Sequence, residues 1–354
     1  MSKKLSFKPD LAEARKRWQA FFNEDIIDRP IVKVTAPLND SASTYQRNYY
    51  EMAFGDIDEI LDKVIQTAAA TYYGGEAIPS FMPSIGPDEI ATFCGSELCW
   101  KENSKNTNWS KPFVKNWEDV LPLQLNHNNQ YWQRSLELFR RSAEKLKGKM
   151  LISPLDLHTN MDLLAAIRGS ERLCEDLIDQ PKMIDKAMES ARTIFSELWQ
   201  AISEAGQMKE TGYYHAIYGR EGAAVLQCDF SCMISPEMFR RWVLPALEEE
   251  AKIVDHAFYH WDGPDALVHT EDLLASKGLF VFGYVPGAGN GSHYDHLELL
   301  QKVQKGGKAV QARGTVEEIK AMHKKLDPTK VIYETHVGSK SEAEKLLDWF
   351  ETNT

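Results

Sequence analysis

Histidine and carboxylate side chains occur as closely spaced pairs at three places in this sequence. The pairs are Asp156 with His158, His260 with Asp262, and Glu334 with His336. Side chains two positions apart in a β-strand point to the same face of a sheet. Imidazole and carboxylate groups bind Zn²⁺ and other divalent metals, and they also serve as general acids and bases. The three pairs are therefore the first candidates for a functional site.

The pair His260 and Asp262 ends a short apolar strand that we predict over residues 257–261. Gly263-Pro264 follows directly, and this dipeptide breaks regular structure. A polar pair at the end of an apolar strand is better suited to a site than to a core. The structural alternative is that Asp262 only caps the helix that follows.

Strand and helix patterns alternate around these pairs. Strands are predicted at residues 31–36, about 89–94, 149–155, 223–228, 257–261, 279–285, 308–312 and 330–334. Such apolar strand runs are typical of a parallel sheet buried on both faces. Eight strands with alternating helices predict an α/β protein with a (β/α)8 TIM barrel. Residues 1–354 are predicted to form one domain, in which a helical extension at the N-terminus precedes the barrel.

The segment 72–123 differs from the rest of the chain. It is rich in Gly and Pro, contains three tryptophans and has no long periodic run. It follows the first strand–helix unit as a long excursion. Long ordered loops of this kind are often lids or binding loops. The alternative is a packed decoration or a subunit contact.

The active sites of such barrels lie at the C-terminal ends of the strands. All three His–carboxylate pairs are predicted at such ends, so we expect them to meet at one mouth. Three protein ligands and one open position could then hold a metal that activates a bound group. The alternative is that the pairs cap helices and neutralise one another. Further polar residues lie at or near the strand ends, namely His215, Tyr218, Cys228, Asp229, Tyr284 and Arg313.

Composition and charge restrict the class of protein. The net charge of −11 argues against binding to nucleic acid or an anionic membrane, since both require a basic face. No apolar run is long enough to span a membrane, and the N-terminus has no signal-peptide core, which predicts a cytoplasmic protein. The five cysteines lack metal-finger spacing and are predicted to be free thiols. The run 248–250 of three glutamates is interpreted as a solvated helix face.

Several motifs resemble the uroporphyrinogen decarboxylase superfamily. They are Gln227-Cys-Asp-Phe-Ser231, Ile234-Ser-Pro-Glu-Met-Phe239, Val243-Leu-Pro245 and Tyr259-His260-x-Asp262-Gly263. The resemblance extends from Arg29-Pro30 to the C-terminal helix, apart from the segment 72–123. It implies a (β/α)8 barrel, in agreement with the strand count.

Two branches of that superfamily lead to different expectations. True uroporphyrinogen decarboxylases carry an arginine motif after the first strand, where this chain has Val34-Thr-Ala-Pro-Leu38. The porphyrinogen reaction is therefore not expected. The corrinoid-linked zinc methyltransferases hold zinc with a His-x-Cys motif and a later cysteine. By this resemblance His260 matches the histidine, Asp262 stands at the first cysteine, and His336 lies near the second. Such harder ligands disfavour a thiolate acceptor such as coenzyme M.

The resemblance implies a metal-dependent methyltransferase that moves a methyl group between a small substrate and a corrinoid carried by a partner protein. His260, Asp262 and His336 would hold zinc or another divalent metal, and Asp229 or Glu334 would be the general acid or base or would orient a metal ligand. The predicted substrate pocket includes Asp156, His158, His215, Tyr218, Cys228, Tyr284 and Arg313. Two alternatives are a metal-free decarboxylase or lyase acting on a small carboxylated substrate, and a non-catalytic barrel that binds a ligand. A homodimer is compatible with the sequence, which does not fix the oligomeric state.

Overall fold

The structure is a computed structural model that describes residues 4–39, 45–101 and 104–354. The strands within these ranges are β1 (Ile31–Pro37), β2 (Thr71–Gly75), β3 (Ser80–Phe81), β4 (Glu97–Lys101), β5 (Ser104–Lys111), β6 (Leu151–Ile152), β7 (Tyr213–His215), β8 (Ile217–Gly219), β9 (Ala223–Gln227), β10 (His256–Asp262), β11 (Leu279–Val285), β12 (Ala309–Arg313) and β13 (Val331–His336).

Helices occupy most of the intervals between the strands. They are α1 (Leu11–Phe22), α2 (Tyr49–Phe54), α3 (Ile57–Ala69), α4 (Glu89–Phe93), α5 (Gln130–Lys145), α6 (Asn160–Arg168), α7 (Ser170–Asp179), α8 (Pro181–Ala205), α9 (Met208–Thr211), α10 (Pro236–Met238), α11 (Leu244–Ile253), α12 (Thr270–Ala275), α13 (Leu297–Lys305), α14 (Val316–His323) and α15 (Lys340–Asn353). Among the described residues, none of these helices combines the length and apolarity that crossing a bilayer requires.

A parallel sheet organises the second half of the chain. Its strand order is β2-β1-β13-β12-β11-β10-β9, and every neighbouring pair from β1 to β9 is parallel. β2 is antiparallel to β1 and lies at one edge. Apolar residues fill these strands, and all five residues of β9 are buried. The predicted α/β class with a parallel sheet is therefore confirmed.

The second, shorter parallel ladder joins β3 and β6. It is connected to the next strand by a side chain, since Ser153 Oγ donates a hydrogen bond of 2.6 Å to the Tyr214 carbonyl in β7. The main ladder ends at β2 and at β9 among the described residues. A closed eight-stranded barrel consequently remains a prediction.

One predicted strand is wrong. Residues 89–94 were predicted to be extended, but Glu89–Phe93 form the helix α4 and are all buried. A short apolar run has no periodicity that distinguishes a strand from a buried helix. The strand beside β6 is instead the two-residue β3, which lies eight residues earlier in the chain.

Helix ends are fixed by residues that the sequence identifies. Thr315 and Glu318 form a capping box at the start of α14. Ser235 caps α10 by accepting a hydrogen bond from the Met238 amide, and Pro236 follows in the first turn. All five cysteines are free, as predicted.

Candidate functional site

Polar side chains from five parallel strands lie on one face of the main sheet. The strand register pairs His260 with Gln227, and Glu334 with both Arg313 and Lys33. Because side chains alternate along a strand, residues two positions away share the same face. The set comprises Lys33, Thr35, Gln227, His260, Asp262, Gln311, Arg313, Glu334 and His336. The predicted meeting of polar residues from separate segments therefore has a physical basis in the register.

Three of the candidate residues form a compact cluster. One ligand atom each from Asp229, His260 and Asp262 lies within 4.8 Å of the other two. His260 and Asp262 end β10, and Asp229 opens the 3-10 turn 229–233 that follows the adjacent β9. The Oδ1 atom of Asp229 is buried and has no hydrogen-bond partner among the described residues. Such an atom is available to a bound ligand.

The donor atoms of this cluster fit a divalent metal. They are two carboxylates and one imidazole, the ligands that zinc and related ions accept. Burial lowers the pKa of His260, although Asp156 and Asp262 act against it. The imidazole is therefore neutral near pH 7, as a metal ligand must be.

His336 is not part of this cluster among the described residues. Its Nδ1 atom lies 3.0 Å from the hydroxyl of Thr35, and its side chain is exposed. Three strand spacings separate β13 from β10, which amounts to about 14 Å along the sheet. The structure thus brings Asp229, and not His336, to the pair His260 and Asp262.

Glu334 lies in a basic neighbourhood. Its Oε2 atom is 2.7 Å from Lys33 Nζ and 3.8 Å from Arg313 Nε, and it accepts a hydrogen bond of 2.7 Å from Gln311. Burial acts to raise the pKa of Glu334, but Lys33 and Arg313 outweigh it and hold that pKa below its ordinary value. Glu334 is therefore ionised and is held by Lys33, Gln311 and Arg313. Such a carboxylate is better suited to orienting other groups than to donating a proton.

A buried acid–base group adjoins Asp229. Asp162 accepts hydrogen bonds from the amides of Asp229 and Phe230, at 3.0 and 2.9 Å, and so fixes the turn that carries Asp229. His158 Nδ1 lies 3.7 Å from Asp162 Oδ2. Burial acts to lower the pKa of His158, but Asp162, Asp156 and Asp229 raise it to about 9. His158 is consequently a cation at neutral pH.

The pKa of Asp229 is raised, first by burial and then by Asp162. His158 acts in the opposite direction and favours the ionised carboxylate. Asp162 was not identified from the sequence. Its spacing of four from His158 would indicate a pair only on a continuous helix, and α6 begins after His158.

Two further predicted pocket residues have unsatisfied polar atoms. Asp156 Oδ1 and His215 Nδ1 are buried without a hydrogen-bond partner among the described residues. Burial lowers the pKa of His215, and the charge of Asp156 acts against this shift. Asp156 also acts on His158 and His260. The charge of Asp156 therefore acts to raise the pKa of His158, His215 and His260.

Four other predicted pocket residues occupy different surroundings. Tyr284 aligns with Trp261 in the register, on the face opposite Asp262. Burial raises the pKa of the Cys228 thiol well above its ordinary value, so the thiol stays neutral. The Arg313 side chain is half exposed. Tyr218 lines a separate cavity of about 430 Å³ together with His256, which begins β10.

A cavity of about 570 Å³ opens beside Asp229. Its polar residues include His158, Asp162 and Asp229, and its apolar residues include Trp109 and Met233. Trp109 belongs to β5, within the segment 72–123. The long excursion therefore borders the candidate site.

Glu250 contradicts the interpretation of residues 248–250 as a solvated face. It is 2% exposed and accepts hydrogen bonds from Thr159 Oγ1 at 2.7 Å and Asn160 Nδ2 at 3.2 Å. Asn160 Nδ2 also lies 3.1 Å from the Gln227 carbonyl. Burial raises the pKa of Glu250 to about 8. This neutral carboxyl group supports the start of α6, where Asp162 lies.

Comparison with known proteins finds similarity at the level of structure. No protein-family model matches the sequence. No curated protein matches it either. A solved structure of a methyltransferase from Methanosarcina mazei is similar, with a TM-score of 0.57 and 14% sequence identity. The alignment covers 96% of this chain and 98% of that chain. The two proteins share a fold. At this identity the likeness extends to the fold alone.

Proposed function

We propose that this protein is a metal-dependent methyltransferase whose metal is held by Asp229, His260 and Asp262. The observation that carries the proposal is the mutual approach of their three ligand atoms to within 4.8 Å. The fold shared with a methyltransferase from Methanosarcina mazei supports the reaction class. The ligand set differs from the one expected by resemblance, because Asp229 replaces His336.

The surrounding residues would prepare this site for a cation. Asp162 holds the turn that carries Asp229, and the His158 cation favours the ionised form of Asp229. His260 presents a neutral imidazole because it is buried. When bound, the metal would supply a Lewis acid that lowers the pKa of the group it binds. Glu334 would hold Lys33 and Arg313 at β1 and β12, on the same sheet face but away from the proposed metal ligands at β9 and β10.

The substrate would be a small molecule in the 570 Å³ cavity beside Asp229, since cavities of this size accommodate drug-sized ligands. By resemblance to the corrinoid-linked branch, a corrinoid on a partner protein would exchange the methyl group. The donor set contains oxygen and nitrogen without sulfur. Hard donors of this kind favour a methyl acceptor or donor other than a soft thiolate.

Metal analysis tests the ligand set. Protein purified without added metal should contain about one divalent ion per chain by mass spectrometry. His260→Ala and Asp229→Ala should lose it. His336→Ala is the matched control, since His336 also ends a strand on this face, and it should retain the ion. A metal-free wild-type protein that does not bind zinc on titration would contradict the proposal. Loss of metal in His336→Ala with retention in Asp229→Ala would restore the ligand set expected by resemblance.

Methyl transfer tests the reaction. Methylcobalamin, the free form of a methylated corrinoid, should lose its methyl group to an acceptor only with metal-loaded protein, which is followed by its absorbance. Metal binding without transfer in either direction, over a panel of oxygen, nitrogen and sulfur acceptors, would favour a non-catalytic binding protein.

A second candidate function is a metal-free lyase or decarboxylase. The specific observation in its favour is that Asp156 and Asp229 each have a buried oxygen with no hydrogen-bond partner among the residues described, close to His158. A carboxylate so placed could accept a proton from a small carboxylated substrate, and the imidazolium could donate one to it. Turnover that survives a chelator and His260→Ala, but not His158→Gln, would favour this function over the first.

A further inference from the structure

Trp109 differs from the other tryptophans of the chain. All nine tryptophans lie in the described ranges, and Trp109 is the one that is exposed, at 39% of its surface. Its indole forms no ring contact or hydrogen bond with the described residues. Trp117 and Trp261, by contrast, are 1% exposed and donate hydrogen bonds to Asp176 and to the Ala266 carbonyl. Trp109 is therefore the tryptophan that the fold leaves most accessible to a bound molecule.

The neighbours of Trp109 are buried and fixed. Asn108 is 3% exposed and donates a hydrogen bond of 2.6 Å to the Ile85 carbonyl. Ser110 is 4% exposed, and its hydroxyl donates to the Ala166 carbonyl at 2.9 Å while its amide donates to Asp88 at 2.8 Å. Since side chains alternate along β5, Trp109 must point away from this anchored side. The strand holds the indole in place rather than leaving it on a mobile loop tip.

The Asn108 side chain packs closely against Gly86. A β-carbon at Gly86 would lie 2.1 Å from the Asn108 side chain, so this glycine is needed for the hairpin to approach. Gly86 also has a φ of +141°. The contact between β5 and the chain before α4 therefore fixes the backbone position of Trp109.

Trp109 and the proposed metal ligand Asp229 line the same cavity. Met233 lines it as well, is 53% exposed and ends the turn that Asp229 opens. The lining of the cavity therefore combines the large apolar side chains of Trp109 and Met233 with the polar side chains of Asp229 and His158. A mixed lining of this kind suits a ligand with an apolar body and one reactive polar group.

We infer that Trp109 is a specificity-determining residue that packs against the apolar ring of a small substrate whose reactive group lies at Asp229. This inference rests on the proposed function, because it takes Asp229 as part of the reaction centre. It also gives the segment 72–123 a definite role. The hairpin of β4 and β5 is a fixed wall of the substrate pocket rather than a decoration.

Ligand-observed NMR with two probes tests the inference. Phenol represents a neutral ring with one polar group, and tetramethylammonium represents an apolar cation without a ring. Wild-type protein should bind phenol more tightly. Trp109→Ala should weaken phenol binding by about fivefold or more, and Trp109→Phe should restore it to within about twofold, because a ring face is what the site supplies. Lys111→Ala is the matched control on the same strand, since Lys111 is exposed, and it should leave binding unchanged.

The outcomes separate this inference from the proposed function. Metal content is measured on each variant and should equal that of the wild type. Unchanged phenol binding in Trp109→Ala, or tighter binding of tetramethylammonium than of phenol, would overturn the inference even with metal present. The remaining outcome is that Trp109→Ala alone loses phenol binding and that no form of the protein binds metal. This result would support the role of Trp109 in the substrate pocket and refute the metal-dependent function.

Discussion

The charged side chains have different surroundings in the two halves of the polar face of the main sheet. In the half at β9 and β10, Asp229 has a buried oxygen without a hydrogen-bond partner in the described part of the chain, and nearby Asp156 has another. In the half at β12, β13 and β1, Glu334 is bonded to Lys33 and Gln311, and every charge has a neighbour of opposite sign. Burying an unpartnered carboxylate is costly, whereas a paired one is satisfied within the protein. The first half is therefore suited to an external ligand and the second to structural support.

The largest expected effect lies in the unpaired half. Asp229→Asn should reduce methyl transfer on the order of 1,000-fold, because it removes a charged ligand from the reaction centre. In the metal-free protein its free energy of unfolding should be equal to or about 1 kcal/mol above that of the wild type, because a buried charge is removed. Methylcobalamin turnover and urea denaturation with a chelator measure the two effects. A large loss of stability would show that Asp229 is a structural residue like Glu334.

Glu250 provides a pH-dependent test of the support beneath the unpaired half. Its pKa is raised by burial from 4.5 to about 8, so the folded protein binds its proton more tightly than the unfolded chain does. This stabilisation is complete below pH 4.5 and is lost as the pH rises through 8. Glu250→Gln retains an oxygen that can accept from Thr159 and Asn160 but has no proton to lose.

The difference in unfolding free energy between Glu250→Gln and the wild type should therefore shift in favour of the variant, by a few kcal/mol, between pH 5 and pH 8.5. Urea denaturation across this range measures the shift. Glu249→Gln is the control, since Glu249 is half exposed and pairs with Arg192 at the surface. A constant difference for Glu250→Gln would mean that Glu250 is ionised in the folded protein.

The paired half should respond through stability. Lys33→Met should lower the free energy of unfolding by about 2 kcal/mol, because Glu334 would lose its closest partner while one third of its side chain remains in solvent. The double variant Lys33→Met with Glu334→Leu should recover most of this loss, since two apolar side chains need no partner. Metal content should not change in either protein. Metal loss in Lys33→Met would show that the two halves are not independent.

Arg313 should give the smallest effect. Its guanidinium is half exposed and lies 3.8 Å from Glu334, so the ion pair is long and solvated. Arg313→Met should change the free energy of unfolding by no more than about 0.5 kcal/mol. A larger loss of unfolding free energy, measured by chemical denaturation, would show that Arg313 stabilises the fold together with Lys33 and Glu334.

The sequence predicted the parts of this molecule that depend on local patterns. Apolar runs located the six parallel strands of the main sheet but not its antiparallel edge strand β2, and the spacing of His260 and Asp262 placed both side chains on one face. The helix α4 was missed because a segment of five residues is too short to show a helical period. Asp162 and Glu250 were missed because their neighbours come from distant parts of the chain, and no spacing in the sequence records such contacts.

The proposed ligand set differs from the expected one for another reason. His336 was placed with His260 by resemblance, but the strand order puts β11 and β12 between their strands. Asp229 follows β9, which is the direct neighbour of β10. Consecutive strands are neighbours in the predicted barrel, so the strand order alone favoured Asp229 over His336 beside His260, and the error came from the resemblance.

The hairpin of β4 and β5 lies between β3 and β6 in the chain, and among the described residues its two strands pair with each other alone. The strand pairing that positions His260 and Asp262 involves β9 and β11 and not this hairpin. Under the inferred role of Trp109, substitutions in this one contiguous stretch should alter ligand preference and leave the proposed metal ligands in place. Related chains should therefore diverge fastest in this hairpin, and exchanging it between them should transfer ligand preference.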